Sequence, residues 1–146
     1  MNKQEIIDEI HSRSSSTMVE NLGIKIIDLG KNFISGKMPV DERTKQPFGL
    51  LHGGASVALA ETLGSIGAGM HVDLSSQSVV GIEINANHLK AVKTGWVFGK
   101  ATAIRVGKKI QVWEIDIKNE NDDFVCKSRL TLSLIHISEP TRHRRI

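Results

Sequence analysis

The stretch Gln46-Pro47-Phe48-Gly49-Leu50-Leu51-His52-Gly53-Gly54 leads directly into residues 55–70, which are small or aliphatic, contain no proline and carry one charge, Glu61. The turn-forming Pro-Phe-Gly and Gly-Gly ahead of this run predict a helix that begins near Gly53. Because a helix that is apolar on all sides is normally buried, we expect this helix to lie at the centre of the fold.

Glu61 is the feature of this helix that points to function. A carboxylate among apolar residues is costly unless it has a partner or a chemical task, and such groups concentrate at functional sites. The alternative is a surface position, at a groove between the helix and a sheet. Ser65 follows four residues later on the same helical face, where it could hold a water molecule or steady the carboxylate.

The remaining residues predict an α+β fold. Ile6, Ile7 and Ile10 indicate a short amphipathic helix that packs on the outside. Six β-rich runs predict strands: 24–29, 33–38, 79–89, 96–106, 110–118 and 124–131. Consecutive strands favour a largely antiparallel sheet, and its apolar face needs a cover that only the long helix can supply. We therefore expect residues 1–131 to form a single domain.

Composition narrows the function classes. Hydrophobic residues make up 40% of the 146-residue chain and charged residues 24%, as in ordinary globular proteins, and no apolar run is long enough to cross a membrane. Residues 1–10 do not resemble a secretory signal. The single cysteine, Cys126, excludes a disulfide within the chain and favours a reducing cytoplasm; its place in a predicted strand favours a buried thiol over a nucleophile.

The C-terminal residues 132–146 resemble the translation of a sequencing-library adapter, and we expect them to be a non-native tail. They contain three arginines and one glutamate, so the net charge falls from +3 to +1 without them. The run Arg142-His143-Arg144-Arg145 is therefore not interpreted as a nucleic-acid site, and no nucleic-acid partner is expected.

Several stretches together resemble one enzyme family, the hotdog-fold acyl-CoA thioesterases. The similarity covers residues 17–131 and is carried by 38–41, 44–56, 81–88 and 111–115. It is strongest to the branch of the bacterial 1,4-dihydroxy-2-naphthoyl-CoA thioesterases of menaquinone synthesis. The resemblance implies a long central helix wrapped by an antiparallel sheet, hydrolysis of an aromatic acyl-CoA and no cofactor. A branch that clears misacylated aryl carrier proteins in siderophore synthesis is an alternative.

The resemblance also implies roles for individual residues. Thioester hydrolysis needs a group that attacks or activates water, and donors aimed at the carbonyl oxygen. Glu61 matches the family's nucleophile or general base, the Gly53 N–H matches the group that polarises the carbonyl, and Gln46 helps to place it. Ser65 matches the residue that holds the water. His52 either caps the helix or orients the substrate carbonyl.

Other candidate sites are weaker. His88 and Lys90 close one strand, and Arg105, Lys108 and Lys109 cluster at the next turn; they form either a solvated rim or contacts with the coenzyme A phosphates. The histidines lack the spacing and the cysteines of a zinc site, so no metal is expected. A non-catalytic acyl-CoA-binding protein is the alternative class of function, although binding alone gives no reason to place Glu61 in an apolar helix.

Distance along the helix predicts a site shared between subunits. Gly53 and Glu61 are separated by about 12 Å along the axis, at about 1.5 Å per residue. Groups that act on one carbonyl must both approach it to about 3 Å. Either another element of the chain brings a second donor, or Glu61 of one copy faces Gly53 and Gln46 of another. The second arrangement predicts a homodimer, and the resemblance implies dimers that often pair into homotetramers.

Overall fold

The computed structural model describes residues 1–137 of the chain. Within them it contains three helices: α1 (Lys3–Arg13), α2 (Met18–Asn21) and α3 (Gly53–Gly69). A reciprocal capping box fixes the start of α1, where the Asn2 side chain accepts a hydrogen bond from the Glu5 N–H at 2.9 Å. The predicted N-terminal helix and the long helix that starts at Gly53 are confirmed, and α2 adds a helical turn that the sequence pattern does not predict.

In the described part of the chain, six antiparallel strands form one sheet in the order β1-β2-β4-β5-β6-β3. The strands are β1 (Lys25–Leu29), β2 (Phe33–Pro39), β3 (Gln77–His88), β4 (Trp96–Val106), β5 (Ile110–Lys118) and β6 (Phe124–His136). The α+β class and the antiparallel sheet are thereby confirmed. β1 and β3 are the two edge strands of this sheet.

The long helix covers one face of the sheet, as predicted, and a pair of glycines lets it approach closely. Gly36 of β2 and Gly99 of β4 are direct cross-strand neighbours. A Cβ on either residue would lie less than 3 Å from a methyl group of Leu63, at 2.8 Å and 2.7 Å respectively. Leu63 is fully buried in this glycine socket, and burial of a leucine side chain contributes about 1.5–3 kcal/mol.

The core also contains the single cysteine. Cys126 of β6 is fully buried, as predicted, and its burial raises the pKa of the thiol. A protonated, inaccessible thiol is a poor nucleophile. Within residues 1–137, no helix is long and apolar enough to cross a membrane.

The last strand is longer than the sequence pattern predicts. β6 continues past Thr131 to His136, because Leu132 is fully buried and pairs with Gln111 of β5 on one side and Gly81 of β3 on the other. The predicted end of the strand at residue 131 is thus wrong. The non-native origin of residues 132–146 stays a prediction, and the basic run near the C-terminus lies outside the described residues.

Candidate active site

The N-terminus of α3 presents a backbone donor. His52 is the N-cap, and its Nδ1 accepts a hydrogen bond from the Gly54 N–H at 2.7 Å. The Gly53 N–H, by contrast, makes no hydrogen bond to any of residues 1–137. An unpaired N–H at the positive end of a helix suits a developing negative charge. The structure thus shows the capping role of His52, and its role in orienting the substrate carbonyl stays a prediction.

A second histidine lies against the same helix end. The His88 ring packs over Gly53, so closely that a Cβ on Gly53 would lie 2.9 Å from His88 Nε2. Residue 53 must therefore be glycine if His88 keeps this position. The sequence pattern grouped His88 with basic residues of a rim, since nothing in it shows that the end of β3 meets the start of α3.

Gln46 lies in the loop that delivers the chain to α3. The loop is a tight turn in which Gln46 N–H donates to Leu50 O at 2.8 Å, and Gly49, at φ +81°, donates its N–H to Gln46 O at 2.9 Å. The Gln46 Oε1 accepts the Phe48 N–H. Its Nε2 makes no hydrogen bond within residues 1–137 and remains available as a donor.

Glu61 lies half-buried in the middle of α3, on the side of the helix that faces β3. A Cβ on Gly81 would lie 2.7 Å from Glu61 Oε2, so the carboxylate rests against the backbone of this edge strand beside its bulge. The carboxylate has no ion pair or hydrogen bond within residues 1–137. This position matches the groove between helix and sheet that was the alternative for Glu61.

An apolar cleft of about 1160 Å³ opens in front of Glu61. Ser65 lines it one turn further along α3, so the structure brings these two residues together as predicted. One wall is α3 and the other is formed by α1 and α2. Apolar side chains from both walls line it: Ile6, Ile10, Met18, Leu22, Val57 and Ile66. This volume is ample for a small-molecule ligand. The α1–α2 wall was missed, since the Ile6–Ile10 pattern alone indicates only an amphipathic helix.

The structure does not bring Lys90 together with Arg105 and Lys108. Lys90 forms an ion pair with Asp123 at 3.3 Å, at the turn between β5 and β6. Arg105 and Lys108 lie at the opposite end of the sheet, by the turn between β4 and β5. These two ends are separated by the length of β4, which is about 33 Å at 3.3 Å per residue. Within residues 1–137 of one chain, Lys90, Arg105 and Lys108 therefore do not form a single basic patch.

Gly53 and Glu61 also remain apart, since the same straight stretch of α3 contains both. Their separation along the axis is about 12 Å. Within residues 1–137, no three His, Cys, Asp or Glu side chains are placed to hold a metal ion. The chemistry available in the described chain is thus that of a free carboxylate, a helix N-terminus and a side-chain amide.

Comparison with known proteins decides the family. The model of the thioesterase superfamily matches residues 48–126. The chain belongs to this superfamily. A thioesterase from Haemophilus influenzae of known structure superimposes with a TM-score of 0.87 at 48% identity, over 91% of this chain and 92% of that one. The hotdog fold and the activity of a thioester hydrolase follow from this match.

Two further relatives differ in their stated activities. The 1,4-dihydroxy-2-naphthoyl-CoA hydrolase of Escherichia coli is 43% identical over 88% of this chain and 94% of its own length. The proofreading thioesterase EntH of Cronobacter sakazakii is 47% identical over 88% of this chain and 93% of its own length. The two identities are too similar to choose between the two substrate classes.

Proposed function

We propose that this thioesterase hydrolyses an aromatic acyl-CoA, similar to 1,4-dihydroxy-2-naphthoyl-CoA, in the cytoplasm. The observation that carries the proposal is the Glu61 carboxylate, which has no partner within residues 1–137 and faces an apolar cleft. A role in menaquinone synthesis would follow from that substrate. The relative from Escherichia coli and the apolar lining of the cleft support an aromatic acyl group.

Glu61 acts on the thioester carbonyl in one of two ways. The carboxylate either attacks the carbonyl carbon and displaces the thiolate of coenzyme A, to give an anhydride that water then cleaves, or it takes a proton from the water that attacks. Ser65, on the same face of α3, holds that water. Both routes yield the free acid and the coenzyme A thiol, and both need the carboxylate unpaired.

The donors that stabilise the negative charge on the carbonyl oxygen are the Gly53 N–H and the Gln46 amide. Since α3 keeps Gly53 about 12 Å from Glu61 of the same chain, we infer that they come from a second copy. The edge strand β3 supports this arrangement. It is 12 residues long, exposes Val80 and Ile82, and supports Glu61 at Gly81. Long apolar edge strands tend to pair with another chain.

A two-fold axis beside β3 would place two Glu61 carboxylates and two α3 N-termini in one interface, which gives two equivalent sites for each homodimer. Pairing of two such dimers would give the homotetramer that the sequence resemblance implies. His88, which packs on Gly53, would lie within this shared site. We propose that the coenzyme A phosphates are contacted by Lys90, Arg105 and Lys108. Because these residues lie at opposite ends of the sheet, one coenzyme A would be contacted by Lys90 of one copy and by Arg105 and Lys108 of another.

The second candidate function is proofreading of misacylated aryl carrier proteins, which the 47% identity to EntH favours. Both candidates use the same Glu61 chemistry and differ in what holds the acyl group. Thiol release should be measured with 1,4-dihydroxy-2-naphthoyl-CoA, benzoyl-CoA, palmitoyl-CoA and a benzoyl-loaded aryl carrier protein. We expect the highest kcat/KM with an aryl-CoA. A higher value with the carrier protein would favour proofreading, and equal efficiency with palmitoyl-CoA would contradict aryl preference.

A further inference from the structure

The outer wall of the active-site cleft depends on how α1 is attached to the sheet. From α1, Ile6, Ile10 and Arg13 line the cleft opposite Glu61. A change in the position of α1 would therefore change the shape of the cleft without moving Glu61, which belongs to α3. The inference below rests on the proposed function, because it takes the acyl group to lie in this cleft.

Contacts of three kinds attach α1 to the rest of residues 1–137: apolar packing of Ile6, Ile7 and Ile10 against the core, one ion pair and one hydrogen bond. Ile7 is buried in the core, and packing of this kind is not directional. Lys3 forms an ion pair with Asp28 of β1 at 2.8 Å, but both side chains are about half exposed, and such pairs contribute little. The third contact is a hydrogen bond from the Ile26 N–H of β1 to His11 Nε2 at 2.9 Å. This bond is the directional one.

The hydrogen bond to His11 also satisfies a backbone N–H group at the edge of the sheet. β1 is an edge strand, and the Ile26 N–H donates to an imidazole instead of to another strand. To accept this bond, Nε2 must carry no proton, so the ring is neutral with its proton on Nδ1. In the imidazolium both nitrogens are donors, and the Ile26 N–H would then face a second donor.

We propose that His11 is a positioning residue that holds the α1 wall of the acyl cleft in place only while its imidazole is neutral. Acyl-CoA substrates with large acyl groups then bind less tightly at acidic pH.

The surroundings of His11 shift its pKa in opposite directions. Partial burial lowers the pKa of His11 most, Lys25 on β1 lowers it further, and Asp8 on α1 raises it. The net pKa lies below the ordinary value of 6.5. When attachment of α1 lowers the pKa of His11, the neutral ring stabilises the attached helix fully above pH 6.5. This stabilisation is lost as the pH falls from 6.5 through the lowered pKa.

The test measures kcat and KM separately between about pH 8 and about pH 5.5, with benzoyl-CoA as the large and acetyl-CoA as the small substrate. In the wild type, KM for benzoyl-CoA should rise about fivefold at the acidic end, the fold-change of one lost hydrogen bond, with little change for acetyl-CoA. His11→Gln, whose amide oxygen accepts at every pH, should remove this rise. His11→Ala should show the raised KM throughout.

A second measurement does not depend on activity. Hydrogen exchange of the Ile26 amide should be faster in the wild type than in His11→Gln at about pH 5.5, and equal in the two proteins at about pH 8. Equal exchange at both pH values, or a rise in KM that His11→Gln retains, would overturn the role of His11. If no acyl-CoA is hydrolysed at any pH, the proposed function fails, and the exchange result still decides whether His11 holds α1.

Discussion

The N-terminus of α3 and the middle of the same helix differ in how their polar groups are held. At the N-terminus, His52 caps Gly54, His88 packs on Gly53, and the preceding loop is fixed by its own hydrogen bonds. At the middle, Glu61 has no hydrogen bond within residues 1–137 and faces an open cleft. The proposed donors are thus pre-positioned by their own chain, whereas the proposed catalytic carboxylate has no partner within residues 1–137 and is open to the cleft.

The largest effect is expected from the free carboxylate. Glu61→Gln should lower kcat at least about a hundredfold, because an amide can neither attack the carbonyl nor accept a proton from water. Glu42→Gln, in an exposed loop, is the matched control and should leave kcat unchanged. Steady-state hydrolysis and a circular dichroism spectrum measure activity and folding, and near wild-type turnover of Glu61→Gln would remove this residue from the site.

The proposed donor at the start of α3, the Gly53 N–H, should be sensitive to crowding by an added side chain. Gly53→Ala places a Cβ 2.9 Å from His88 Nε2, which must displace either the ring or the helix end. We expect kcat to fall about tenfold, since a displaced donor loses part of an oxyanion contact. Gly69→Ala is the control on the same helix, because a Cβ there would meet nothing closer than 3.9 Å.

The double variant Gly53→Ala/His88→Ala separates crowding from the loss of the glycine itself. Relief of the clash should make it more active than Gly53→Ala. If the double variant is no more active, crowding is not the cause of the loss, and the single variant His88→Ala then shows whether removal of His88 alone lowers kcat.

Mixing two inactive variants tests whether the two regions meet between subunits. Glu61→Ala and Gln46→Ala are combined in equal amounts, dissociated and reassociated. Half of the dimers are then hybrids with one intact site of two, so about a quarter of the wild-type activity should return. Each variant treated alone is the control. No recovery in verified hybrids, or an active monomer in sedimentation, would place the complete site within one chain.

The smallest effects concern the basic residues at the two ends of the sheet. Lys90→Ala and Arg105→Ala should each raise KM for an acyl-CoA about threefold, because exposed charges contribute modestly to phosphate binding. The effect should shrink at high ionic strength. Lys31→Ala, in the turn between β1 and β2, is the control. Equal KM values in all three variants would remove Lys90 and Arg105 from the nucleotide contact.

Sequence patterns predict those parts of the fold that depend on periodicity. The limits of β4 and β5 agree with the predicted limits, because glycines and charged turns bound their alternating residues. The end of β6 was not predictable, since the burial of Leu132 depends on partners from two other strands. The packing of His88 on Gly53 and the α1–α2 wall of the cleft were not predictable for the same reason, because both depend on contacts between separate elements of the fold. The catalytic roles of Glu61, Gly53 and Gln46 come from the family resemblance and stay predictions, because periodicity does not show what a side chain does to a substrate.

The glycine socket for Leu63 has a consequence for enzyme engineering. Leu63 follows Glu61 by two residues, so the two side chains project from nearly opposite sides of α3. Insertion of Leu63 between Gly36 and Gly99 therefore sets the rotation of α3 about its own axis, and with it the direction of Glu61. A side chain added at Gly36 or Gly99 would displace Leu63 and turn the Glu61 carboxylate away from the bound thioester. Activity would then be lost through misalignment, in a protein that still contains every proposed reacting group.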